Sequence, residues 1–305
     1  MKRRQQVPKT LISLRRVSEL TGSRFGENRI NGDGLTIGAG LTLTQLVQLQ
    51  THISSPGSYA ALWQAAGLVA TPHLRNMGTL GGNLCLDTRC NYYDQNYEWR
   101  KAIDFCMKKD GSTCWVATSS PKCLAVSSTD TAPALLALGA TLTLVRAEGT
   151  RQLPIAELYR NDGIHYLTRQ PHEILTAVHV PDLTGWRSTY WKLRRRGAFD
   201  FPVLSVAVAA KIGADRTVEA ARIVLGAVAS KPMEVPEASA LLVGGPLTEE
   251  RIAAAADRAA KPARPMDNTD FNLLWRKRVT RQFVSYALRE LRGDDVSELR
   301  RKLIR

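Results

Sequence analysis

Clustered thiols and a paired glycine are the residues of this chain best suited to chemistry. All five cysteines of the 305-residue sequence lie between residues 85 and 123. Cys90, Cys106, Cys114 and Cys123 are separated by fifteen, seven and eight intervening residues. Four thiolates are the usual holders of an iron–sulfur cluster, because soft sulfur matches the cluster irons and shares electron density with them. Intervals this long imply loops that wrap the metal, unlike the tight C-x2-C runs of ferredoxins and zinc ribbons. On spacing alone three readings stand: an iron–sulfur cluster, a structural zinc, or unrelated buried thiols. Cys85 could replace Cys90 in such a set; it reads instead as a packed thiol beside the glycines. A secreted disulfide framework is not expected, since Pro8 to Leu14 is too short and too polar for a signal segment.

The residues around the thiols suit a redox centre. Tyr92, Tyr93, Tyr97, Trp99, Phe105 and Trp115 supply rings that could shield a cluster from water and so help to set its potential. Arg89, Arg100, Lys101, Lys108, Lys109 and Lys122 could offset its negative charge.

The second constellation is Thr79, Leu80, Gly81, Gly82 and Asn83. It is neither a GxGxxG fingerprint nor a Walker loop. Paired glycines permit positive φ and close approach of a ligand to the main chain. Thr79 and Asn83 would then offer hydroxyl and amide groups, although a plain tight turn explains the motif equally well. Asp130 stands where a helix begins, as an N-cap or as an acceptor for a ribose or adenine. Lys192 sits in a basic run, Trp191 to Arg196, and is either solvated or close to a flavin. The five histidines lack metal-ligand spacing, and no Ser/His/Asp or paired-carboxylate arrangement is visible. A carrier is expected here, not a substrate-transforming site.

The net charge of +14 is spread from Lys2 to Arg305, with no helix-turn-helix or zinc-finger spacing to focus it. Nucleic acid is therefore not expected, and an acidic electron donor or partner subunit would be attracted equally well. No apolar run approaches the roughly 20 residues of a membrane span, and a cytoplasmic protein is expected.

These residues need a scaffold. Asn31 to Gly34 is turn chemistry after a basic, loop-like start. Leu35 to Ile37 reads as a strand ending at Gly38. Thr42 caps a helix through Leu43 to Thr51, and a second helix spans Tyr59 to Val69. Residues 86–128 lack hydrophobic periodicity and read as an insertion. Thr131 to Leu138 reads as helix, and Ala140 to Arg146 and Glu173 to Val180 as strands. A boundary falls in Pro181 to Gly185, giving domains 1–184 and 185–305. Beyond it Ser188 to Arg194, Val203 to Ile212 and Arg222 to Val228 read as strands, and Pro236 to Leu242 and Thr248 to Ala260 as helices. A last long helix spans Asp270 to Arg292, with Phe271, Trp275, Val279 and Phe283 along its core face.

Arg75-Asn-Met-Gly-Thr-Leu-Gly-Gly-Asn-Leu84 resembles the second flavin-binding motif of the FAD subunits of the xanthine dehydrogenase and carbon monoxide dehydrogenase family. Thr129-Asp-Thr-Ala-Pro-Ala-Leu-Leu-Ala-Leu-Gly-Ala140 and Tyr190-Trp-Lys-Leu-Arg-Arg-Arg-Gly-Ala-Phe-Asp-Phe-Pro202 resemble the same subunits, in order, over essentially the whole chain. Most members lack the cysteine insertion. Here it looks like that of the beta subunits of 4-hydroxybenzoyl-CoA reductases, which implies a [4Fe–4S] cluster held by Cys90, Cys106, Cys114 and Cys123. The resemblance implies an α+β fold: an FAD-binding domain of two α+β subdomains, then a smaller α/β C-terminal domain. It places Thr79 to Asn83, Asp130 and Lys192 at the flavin. It also implies a molybdenum-binding large subunit and a [2Fe–2S] small subunit as partners, and ferredoxin as electron donor for reductive dehydroxylation to benzoyl-CoA. An Ala-Gly-Gly-Thr-Asp-type loop that begins the family's first subdomain has no counterpart here, so that subdomain is expected to be truncated and FAD to be held poorly. Rival expectations are another molybdenum hydroxylase's FAD subunit, a zinc-stabilised interaction protein without redox chemistry, and a basic nucleic-acid binder with strongly salt-dependent affinity.

Overall fold

The computed structural model describes residues 7–21, 30–31, 34–53, 55 and 57–304. The expected turn at residues 31–34 lies partly outside them, as does much of the basic start.

Among the described residues, nine strands form two antiparallel sheets. In the first, β1 (Ile30–Asn31), β2 (Gly34–Gly38), β3 (Thr141–Arg146), β4 (Gly149–Pro154) and β5 (Ile174–Val180) lie in the order β1-β2-β5-β3-β4. Gly34 opens β2 at φ +111°, with the Val180 carbonyl where a side chain would begin, so only glycine fits there. The second sheet is a meander of β6 (Trp186–Leu193), β7 (Leu204–Ile212), β8 (Val218–Gly226) and β9 (Met233–Glu234).

The second sheet is buried on both faces, which explains its long apolar runs. Strand side chains alternate between faces. On β7, Leu204, Val206, Val208 and Ala210 join the core beneath the C-terminal helices. Ala207 and Ala209 between them join the core of the first sheet. Tyr190 and Trp191 on β6 divide in the same way. The helix Ala60–Gly67 caps the inner face, where Gln64 Oε1 accepts from Tyr190 N at 2.7 Å and from Thr189 Oγ1 at 3.0 Å.

The mixed α+β fold is borne out. The C-terminal helices follow their strands in sequence instead of crossing between them, so this unit is α+β as well. Thr42 makes the expected cap, a full capping box with Gln45 over the helix Leu43–Gln48. The long helix starts at Leu273, under an Asn272 cap. Phe271 therefore lies outside it, at φ +67° and 40% exposed, and is not part of the core stripe; Val279 and Phe283 are. The strand β4 and a final helix, Ser297–Ile304, were not expected. Among the described residues no helix is long and apolar enough to cross a membrane.

Candidate functional site

The glycine pair is not a turn. Leu80–Leu84 forms a short helix whose N-cap is Thr79, with Thr79 Oγ1 accepting from Gly82 N at 3.1 Å. Neither Gly81 nor Gly82 has positive φ, so the expected left-handed backbone is absent. Gly81 is required for another reason. A Cβ there would meet Ala39 Cβ at 2.9 Å, and Gly81 N donates to Ala39 O at 2.7 Å, so the helix lies directly against the end of β2.

Thr79, Gly81 and Gly82 line a solvent-open cleft of about 390 Å³. Its walls include Leu20, Ala39, Ile174 and Leu175, and its charged lining is Arg15, Arg169 and Glu173. The size is within the range of small-molecule and cofactor pockets. Leu80 and Asn83 face away from it. Leu80 is fully buried, and Asn83 Oδ1 accepts from Thr129 Oγ1 (2.8 Å), Thr131 Oγ1 (2.7 Å) and Thr131 N (3.1 Å). The Asn83 amide oxygen is thus spent on joining two helices. Tyr159, which sequence reasoning missed, braces the same helix by donating its hydroxyl to Leu84 O at 2.8 Å.

Asp130 occupies the N-cap position of the helix Thr131–Ala137 but makes no side-chain cap bond. Its carboxylate accepts from Lys192 Nζ at 3.0 Å and from Tyr190 Oη at 2.7 Å. Lys192 is buried, not solvated, and also donates to Leu68 O at 2.8 Å. Burial pushes the carboxyl up and the ammonium down, and their mutual attraction opposes both shifts. Arg195 and Arg196 of the basic run are exposed, Arg195 pairing with Asp270 and Arg196 with Asp200. Lys192 shares the inner face of β6 with Tyr190, whereas Arg195 and Arg196 lie beyond the strand's end at Leu193.

The four cysteines come together. Cys90, Cys106, Cys114 and Cys123 are buried and line one narrow cavity of about 10 Å³. A two-way backbone bridge between Arg89 and Val126, 2.8 Å each way, closes the loop that carries them. Asn268 anchors that loop to the C-terminal unit, accepting from Asn91 N through its carbonyl and donating Nδ2 to Leu124 O. Tyr92, Tyr93 and Trp115 line the cavity; Trp99 packs against Tyr92, and Tyr97 against Phe105. Cys85 lines the cleft beside Gly81 and Gly82 instead.

Burial, and then the neighbouring thiols, push Cys90 up to about 12 against a Tyr92 N–H bond. Burial pushes Cys123 up to about 11, opposed by the Ala125 N–H, 3.4 Å from its sulfur, and by Lys108. Of the basic residues proposed to offset a cluster, Lys108 is the one on the cavity. Its ammonium is held by Asp87 Oδ1 (2.8 Å), Thr88 Oγ1 (2.7 Å) and Gly163 O (2.6 Å). Gly163 has no room for a side chain: a Cβ would lie 2.6 Å from Cys123 Sγ. Among the described residues, no group of three or more His, Cys, Asp or Glu side chains is arranged to hold a metal ion.

Comparison with known proteins agrees with this layout. Residues 1–183 match the FAD binding domain in molybdopterin dehydrogenase, and residues 188–291 match the CO dehydrogenase flavoprotein C-terminal domain. The chain is 33% identical over 263 residues to the aldehyde oxidoreductase FAD-binding subunit PaoB of Escherichia coli (strain K12), covering 83% of this chain and 78% of that one. It is 28% identical over 254 residues to the nicotinate dehydrogenase FAD-subunit of Eubacterium barkeri, covering 82% and 70%. The fold superposes on a subunit of a Cu,Mo-CO dehydrogenase crystal structure with a TM-score of 0.72, at 24% identity over 96% of this chain and 85% of that one. The chain therefore belongs to the FAD-binding subunits of the xanthine and carbon monoxide dehydrogenase family, oxidoreductase subunits of the molybdenum hydroxylases.

Proposed function

We propose that this subunit carries electrons between a [4Fe–4S] cluster held by Cys90, Cys106, Cys114 and Cys123 and an FAD bound beside Thr79 to Asn83. The observation that carries this reading is the convergence of four buried thiols from distant loop positions on one cavity in an FAD-binding subunit. Cys90, Cys106, Cys114 and Cys123 would supply the thiolates of a polynuclear cluster at this cavity. Lys108 and the N–H groups of Tyr92 and Ala125 are suited to stabilising thiolate sulfur there.

Thr79, Gly81 and Gly82 would form the polar edge of the flavin cleft, with Leu80 and Asn83 fixing their helix; Asp130 and Lys192, buried against each other and not lining the cleft, would brace the helix behind it. Residues 1–184 would be the flavin domain and 185–305 the C-terminal domain. Bound together, the two groups supply one-electron carriage and its exchange with a two-electron flavin. Further electron carriage would belong to a [2Fe–2S] small subunit and a molybdenum-binding large subunit.

For the whole complex, the resemblance of the cysteine insertion supports a 4-hydroxybenzoyl-CoA reductase supplied with electrons by ferredoxin, in anaerobic aromatic degradation. The 33% identity to an aldehyde oxidoreductase subunit favours a second reading, in which electrons leave an aldehyde and run the other way. Anaerobic purification with iron, sulfide, zinc and flavin analysis tests the carrier. About four irons and four sulfides per chain, together with flavin, support it, and zinc without sulfide overturns it. Turnover of the complex with 4-hydroxybenzoyl-CoA and reduced ferredoxin, against turnover with aldehydes and an artificial acceptor, decides between the two readings.

A further inference from the structure

The flavin cleft contains a cation that none of the motifs includes. Arg169 lies just before β5 and lines the cleft together with Gly81 and Gly82. Its Nη1 donates to two backbone carbonyls, Gln170 O at 3.1 Å and Glu173 O at 2.5 Å, which plant one edge of the guanidinium. No hydrogen bond from its other guanidinium nitrogens to a protein oxygen is seen among the described residues, and the Cys85 thiol is a neighbour of the guanidinium.

The one carboxylate on the cleft is already engaged. Glu173 accepts from Arg151 at 2.7 and 2.9 Å and from Gln170 N at 2.8 Å. The charge that remains for a ligand is therefore positive, from Arg169 and from Arg15, whose Nη2 rests on Met77 Sδ at 3.1 Å. A guanidinium fixed along one edge, in a cleft with apolar walls, is suited to paired hydrogen bonds with phosphate oxygens.

We propose that Arg169 is a phosphate-recognition residue of the flavin cleft, with Arg15 in support, and that it makes the cleft select FAD over uncharged flavins. The proposal rests on the reading that FAD occupies this cleft. Arg169 holds the diphosphate in place and takes no part in electron transfer.

The test uses the full chain stripped of flavin and titrated with FAD, FMN and riboflavin, followed by flavin fluorescence and equilibrium dialysis. Arg169→Ala should weaken FAD about 10- to 100-fold, the scale of one lost charge-assisted pair, while riboflavin binding moves less than about twofold. Arg169→Lys should recover part of the loss, and the salt dependence of FAD binding should flatten in the alanine variant. Circular dichroism and thermal unfolding of Arg169→Gln check that the fold survives. Equal weakening of FAD and riboflavin, or no change for FAD, overturns the role of Arg169 while leaving the flavin reading intact. Wild-type protein that binds no flavin at all overturns both.

Discussion

Lys192 Nζ lies 3.0 Å from the carboxylate of Asp130, both side chains are buried, and the pair joins β6 to the helix Thr131–Ala137. A buried pair is tolerated only when both charges are otherwise satisfied. Here Tyr190 donates to the acid and Leu68 O accepts from the base. The pair therefore couples the second sheet to the element that Asn83 ties to the helix Leu80–Leu84.

Breaking that pair on one side should be costly. Lys192→Met leaves an unpaired buried carboxylate and should destabilise the protein by about 3–5 kcal/mol. The double variant Lys192→Met with Asp130→Asn should recover part of this, because no buried charge is then left alone. Urea unfolding of the set measures both. A single variant within about 0.5 kcal/mol of wild type would show that solvent reaches the pair.

The ligand set makes a sharper test. Replacing Cys106 or Cys114 by Ser should remove iron and sulfide together, and Cys85→Ser should retain both, because Cys85 lies on the cleft and not on the cavity. Metal and sulfide analysis after anaerobic purification reads this directly. Iron lost from Cys85→Ser but kept in a Cys90→Ser variant would reassign the fourth ligand.

Gly163→Ala changes no candidate ligand. Its new methyl would press on Cys123 Sγ and on Ala125 N, 2.6 and 2.8 Å away. Overpacking of this kind costs about 1–3 kcal/mol. The expected outcome is a lower iron content with near-normal flavin, measured in the same preparation; unchanged iron would show that the loop yields freely.

Glu173 sets a pH dependence. Its hydrogen bonds from Arg151 hold the carboxyl down at about 2, against 4.5 for the free group. The stabilisation is therefore present above about pH 4.5 and is lost as pH falls through about 2. A depression of this size corresponds to roughly 3 kcal/mol, reduced by the solvent around the partly exposed Arg151. Glu173→Gln should thus be less stable than wild type at pH 7, and the gap should narrow as the pH falls below about 4. A gap independent of pH would assign the effect to packing.

Much of the fold was legible in advance. Thr42 and Gln45 carry their capping box in four letters, and the apolar run from Val203 to Ile212 could hardly be other than a buried strand. The glycine pair misled because its motif reads as a turn. Only the contact of Gly81 with Ala39, 42 residues earlier, reveals a helix packed too tightly for a side chain. The strand β4, Gly149–Pro154, was hidden because its burial is mostly shallow and its alternation weak.

The sequence by itself determined that four cysteines sit in a loop-rich insertion, that Thr79 to Asn83 form a special backbone segment, and that the chain has the motifs of its family. These are properties of local order and residue type. Tertiary structure alone decided that the four thiols share a cavity while Cys85 does not, and that Lys192 is buried against Asp130 while Arg195 is in solvent. It also decided that Arg169 enters the cleft beside Gly81, 88 positions earlier in the chain. The physical reason is the same in each case. Hydrogen bonds, ion pairs and exclusion of water act over a few ångströms in space, and two sheets packed through shared cores bring distant residues within that range.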